Sequence, residues 1–84
     1  MRRRDADSGP LLDREASRRV SGQVRELRAA AGLLQADVAA ATGVSQAMVC
    51  KLERGHCRWR EADAAKAAAL LGTTLEELLG EGGR

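Results

Sequence analysis

Apolar residues recur at Val20, Val24, Leu27 and Ala31, which puts them on one face of a helix at about 100° per residue. Asp13 is placed to cap the start of this helix, and Gly32 follows its last apolar position as a helix-ending glycine. A second, shorter pattern runs from Gln35 to Ala41, with Val38 and Ala39 turned inward. Gly43 comes next, where the chain must reverse tightly; a positive φ there suits glycine best. Ser45 is a natural N-cap for a third helix, Gln46 to Arg54, stopped by Gly55. An alanine-rich fourth helix is expected from Glu61 to Leu71, closed by Gly72. Thr74 and Glu77 in TLEE form a capping-box pattern for a short fifth helix bearing Leu75, Leu78 and Leu79. The pattern predicts flexible tails at 1–12 and 81–84 and one folded domain at 13–80.

The third helix divides into two unlike faces. Val49 and Leu52, with Val38 and Val44 before them, point to the core. Gln46, Ala47, Cys50, Lys51 and Arg54 fall on the other side. Two short helices joined by a tight turn, the second with a polar free face, make a helix-turn-helix unit. Small Ala39 lets the helices approach closely. The free face suits base reading in a major groove. Gln46 can pair bidentately with adenine, Lys51 can donate to guanine acceptors, and Ala47 can touch a thymine methyl.

Composition narrows the fold to all-α. The chain has 84 residues, no Phe or Tyr and one Trp, so its core is drawn from Leu, Val and abundant Ala. Alanine favours helix, and the residues that favour strands are scarce. The net charge is only +2, yet it is unevenly spread. Residues 18–60 hold eight basic and three acidic side chains, a net +5, while residues 61–84 come to −3. A basic middle and an acidic end suit a polyanion-binding face with a separate non-binding face.

The stretch from Val24 to Leu79 resembles the phage Cro/lambda-repressor-type helix-turn-helix domain, also called the XRE family. The resemblance rests on LRAAAGLLQADVAAATGVSQAMVCKLERG and ALLGTTLEELLG together. It implies a compact five-helix lambda-repressor-like domain with the helix-turn-helix at helices two and three. By the same resemblance Gln46, Ala47, Cys50 and Lys51 would face base edges. Gln35, Ser45, Arg54 and Arg58 would meet DNA phosphates. Arg28 and Glu53 occupy the family's internal salt-bridge positions. Three features depart from the family pattern: Leu34 stands where a Ser, Thr or Asn cap is usual, Trp59 falls about where Pro is common, and the N-terminal tail is long.

Other chemistries find little footing. Cys50, His56 and Cys57 cluster within eight residues, but a structural tetrahedral metal site needs four ligands. Two cysteines make no disulfide framework. No nucleophile is paired with a base and there is no Gly-rich phosphate loop, so neither an enzyme nor a cofactor is expected. No apolar run suggests a secretory signal or membrane span, and a cytoplasmic location follows by default, on the nucleoid when bound. The sequence therefore predicts a sequence-specific DNA-binding transcriptional regulator. It would repress by occluding an inverted-repeat operator in double-stranded DNA, as a homodimer joined through its C-terminal region. The rival reading is a protein-interaction module of the same fold that binds a toxin, sigma factor or polymerase.

Overall fold

The computed structural model describes residues 9–80; both expected tails reach beyond that span, at 1–8 and 81–84. Five helices are present among the described residues: α1 (Arg14–Ala30), α2 (Gln35–Thr42), α3 (Gln46–Glu53), α4 (Glu61–Leu70) and α5 (Leu75–Leu78). The fold is all-α.

The helix ends follow local chemistry. The Asp13 carboxylate accepts from the Ala16 N–H at 2.8 Å and caps α1. At the other end of α1, Gly32 takes φ +73° and Leu33 N–H reaches back to the Arg28 carbonyl at 2.9 Å. Gly43 turns the chain with φ +83°, and the Ser45 hydroxyl accepts from Met48 N–H at 3.0 Å to start α3. Helix α2 begins without a side-chain acceptor, because Leu34 has none to offer. Asp37 supplies the reverse half of the cap instead: its carboxylate accepts from the Leu34 N–H at 2.8 Å. In α5 Thr74 accepts from Glu77 N–H at 3.2 Å, but the Glu77 carboxylate is engaged by the Thr73 hydroxyl.

The core is aliphatic around one indole. Val20, Val24, Val38, Val49, Ala64, Ala67 and Trp59 are fully buried, with Leu52 and Leu78 close to it. Helix α2 packs against both α3 and α4, and α1 crosses α3, α4 and α5. Leu78 is a core residue, and Leu75 and Leu79 are partly buried against that core. The C-terminal leucines are thus largely spent inside the monomer. The Arg19 guanidinium fastens α5 to α1 by donating to the Leu79 carbonyl at 2.8 Å.

Trp59 is held from three sides. Its N–H donates to the Ser17 hydroxyl at 2.9 Å, its indole Nε1–H donates to the Ser21 hydroxyl at 3.1 Å, and its carbonyl accepts from Leu12 N–H at 2.9 Å. The last contact belongs to a short antiparallel bridge between Leu11 and Arg60. Beside it the Pro10 carbonyl accepts from Glu61 N–H at 2.8 Å, satisfying a first-turn donor of α4. Among the described residues, hydrogen-bonded structure therefore reaches Gly9, upstream of the Asp13 boundary expected from the pattern. The apolar period carries no sign of this, since backbone pairing of four residues needs no period.

Candidate nucleic-acid interface

Helix α3 is exposed along one arc and buried along the other. Gln46, Ala47, Lys51 and Arg54 are exposed and Cys50 is half-buried. Val49 is fully buried, and Leu52 and Glu53 nearly so. At 100° per residue the exposed positions span about 140° of the helix, wide enough to present side chains to a groove wall and floor. Among the described residues, the side chains of Gln46, Lys51 and Arg54 form no hydrogen bond or ion pair within the chain.

The buried side of α3 is held by polar contacts at its C-terminal end. The Ser21 hydroxyl donates to the Leu52 carbonyl at 2.5 Å, and Arg25 Nη1 donates to the Glu53 carbonyl at 2.6 Å. Carbonyls in the last turn of a helix lack intrahelical partners, so α1 supplies them. Arg28 then meets the Glu53 carboxylate with two bonds, Nε to Oε2 at 2.7 Å and Nη2 to Oε1 at 3.0 Å. Arg28 also donates to the Leu33 carbonyl at 2.9 Å, bracing the link before α2. The hydrogen bond to Glu53 raises the Arg28 pKa above the ordinary arginine value; desolvation opposes this and Coulombic attraction adds to it. Ser21 and Arg25 were not singled out from the sequence. Their signal is the polar row Ser17, Ser21, Arg25, Arg28, which runs beside the apolar row of α1 at helical spacing.

Gln35 and Ser45, expected at phosphates, both have work inside the fold. Gln35 Nε2 donates to Glu53 Oε1 at 3.1 Å, which ties the start of α2 to the end of α3. One amide N–H stays available beyond that bond. The Ser45 oxygen serves as cap acceptor, leaving its hydroxyl proton to donate outward. Arg54 is exposed at the C-cap of α3. Arg58 is exposed and donates through Nε to the Leu12 carbonyl at 2.9 Å, so its two terminal nitrogens remain at the surface. Cys50 and Cys57 are free thiols, and among the described residues no three His, Cys, Asp or Glu side chains gather as a metal site.

A family model described as a helix-turn-helix domain matches residues 19–79, most of the chain. The chain belongs to the helix-turn-helix domain family. No curated protein and no solved structure matches it. Helix-turn-helix domains are DNA-binding modules of gene regulators, and in this one α2, the Gly43 turn and α3 form the motif. The exposed arc described above lies on the second helix of that motif. Among the described residues, no helix of this helix-turn-helix chain is long and apolar enough to cross a membrane.

Proposed function

We propose that the protein is a sequence-specific transcriptional regulator of the Cro/lambda-repressor type. It acts as a homodimer and represses by occluding an inverted-repeat operator. In this reading Gln46, Ala47, Cys50 and Lys51 face base edges, while Gln35, Ser45, Arg54 and Arg58 hold phosphates and set the register. The observation that carries it is the division of α3. Its outer arc is exposed, and its inner arc is buried and hydrogen-bonded to α1 and α2. A helix held this firmly presents its outer side chains in a fixed orientation, which base discrimination requires.

Dimerisation is part of the proposal because one recognition helix reads only a few base pairs. Two helices one DNA turn apart, about 34 Å, multiply that information. The contact is assigned to the C-terminal region, where the net charge is negative and is kept off the phosphates. Exposed Leu70 and the partly buried Leu71, Leu75 and Leu79 are its apolar candidates, since Leu78 is taken up by the core.

Selection from a random-sequence duplex library tests this directly. The expected product is an inverted repeat with half-sites about one turn apart. Enrichment of an asymmetric site would remove the dimer, and no enrichment at all would remove sequence-specific binding.

A further inference from the structure

Beyond the end of the recognition helix lies a cleft of about 470 Å³ whose walls come from α1 and from the segment after α3. Arg14 and Arg18 line it from one side; Arg54, His56 and Arg58 line it from the other. All five are exposed, and among the described residues no carboxylate lines the cleft. The acids that flank Arg14 are committed elsewhere. Asp13 caps α1 through Ala16 N–H, and Glu15 pairs with Arg19 at 3.1 Å.

Among the described residues, the side chains of Arg14 and Arg18 form no hydrogen bond or ion pair. Arg14 and Arg18 are four residues apart on one helix, so their charges repel. Both sit in the opening turns of α1, where the helix dipole favours negative charge. Facing the guanidinium groups of Arg54 and Arg58 adds to the repulsion. An anion seated in the cleft would relieve all three penalties at once. Arg54 belongs both to this cleft and to the exposed arc of α3, which makes the basic surface continuous from the reading face into the cleft. Arg14 and Arg18 lie in α1 just ahead of residues 19–79, the span the family model matches.

We infer that Arg14 and Arg18 form, with Arg54, His56 and Arg58, a phosphate-binding cleft that grips the DNA backbone past the end of α3. The inference rests on the DNA-binding reading of the preceding subsection. It extends the contact surface from the helix-turn-helix onto the first turns of α1, on the same side as the C-terminal end of α3. Guanidinium groups suit this task because each presents a planar fork of donors to phosphate oxygens.

The test uses the full chain carrying R14Q/R18Q, with K66Q as a surface-charge control, titrated on selected and random duplexes over a range of salt. The slope of log K against log salt should fall by about 0.9 for each phosphate contact removed. At 0.1 M salt the affinity should drop roughly tenfold per contact by the same relation, equally on both duplexes. K66Q should match the parent. Folding is checked by thermal unfolding, where R14Q/R18Q should melt at or above the parent. An unchanged slope and affinity in R14Q/R18Q, with a parent that binds, would overturn the cleft and leave the DNA-binding reading standing. A parent that binds no duplex would overturn that reading and the cleft with it. Titration with inorganic phosphate separates the sources. Arginine Nε signals of 14 and 18 that move with inorganic phosphate but not with duplex would mark a free-anion site and overturn the assignment to DNA.

Discussion

Arg28 and Glu53 meet edge to edge, guanidinium against carboxylate, with only 18% of the arginine side chain and 3% of the glutamate exposed. The pair spans 25 residues of sequence and joins the end of α1 to the end of α3. Removing the acid by Glu53→Ala would strand a mostly buried cation and also release Gln35. The expected loss is about 2–4 kcal/mol, below the full-burial range because Arg28 keeps some solvent. For a domain this size that corresponds to a melting temperature lower by roughly 10 °C or more. Glu53→Gln should recover part of it, because one acceptor oxygen remains. The raised Arg28 pKa means this stabilisation is fully present below the ordinary arginine range and is lost only as pH climbs through the raised one. Thermal unfolding indistinguishable from the parent would show that the pair carries no structural weight.

Ser21 offers a second, independent handle. Its hydroxyl donates to Leu52 and accepts from Trp59, and it is buried. Ser21→Ala leaves the indole N–H without a partner, at about 1–3 kcal/mol. The Leu52 carbonyl suffers less, since Gly55 N–H still reaches it at 3.1 Å. Combining Ser21→Ala with Trp59→Phe should cost less than the sum of the single changes, because the second substitution removes the orphaned donor. Chemical denaturation of the four proteins measures the coupling, and strict additivity would refute the proposed bond.

Leu34 invites a stabilising change. It occupies the N-cap of α2 in extended conformation and is 66% exposed, so its side chain contributes little to the core. Leu34→Ser would add the missing acceptor and complete the box that Asp37 already half-forms. A gain of about 1 kcal/mol is expected, read as a rise in melting temperature of several degrees. A fall would mean that Leu34 packs on something the folded monomer does not reveal.

On DNA, the two classes of contact proposed for α3 should separate. Gln46→Ala and Lys51→Ala should each cost about 1–3 kcal/mol on the best site and little on random duplex, which relaxes sequence preference. Arg54→Ala should weaken all duplexes by a similar factor. Equal losses on selected and random DNA for all three would remove base reading from α3.

Much of this architecture was readable from local chemistry. Asp13, Gly32, Gly43 and Ser45 mark helix ends because caps and left-handed turns each require particular residue types. The division of α3 follows from its spacing alone. What could not be read were contacts between segments far apart in sequence. The bridge from Leu11 to Arg60 is a backbone pairing with no side-chain signature. Ser17 and Ser21 look like ordinary helix-surface residues until Trp59 is placed against them. Gln35 illustrates the same limit in the candidate site. Its type suggests an outward donor, and only the folded chain brings Glu53 within 3.1 Å of it.

Trp59 has a use that its burial alone would not suggest. It is the chain's single tryptophan and there is no tyrosine, so ultraviolet emission from this protein comes from one known place. The indole is fully buried against α1, where it bonds Ser21. Its fluorescence should therefore be blue-shifted in the native chain and move to the red as that junction opens. Loss of the Leu12 contact and loss of the Ser21 contact would both register there, while a ligand on the outer arc of α3 would leave the colour unchanged. The protein thus carries a built-in optical gauge that tells opening of the core apart from occupation of the surface.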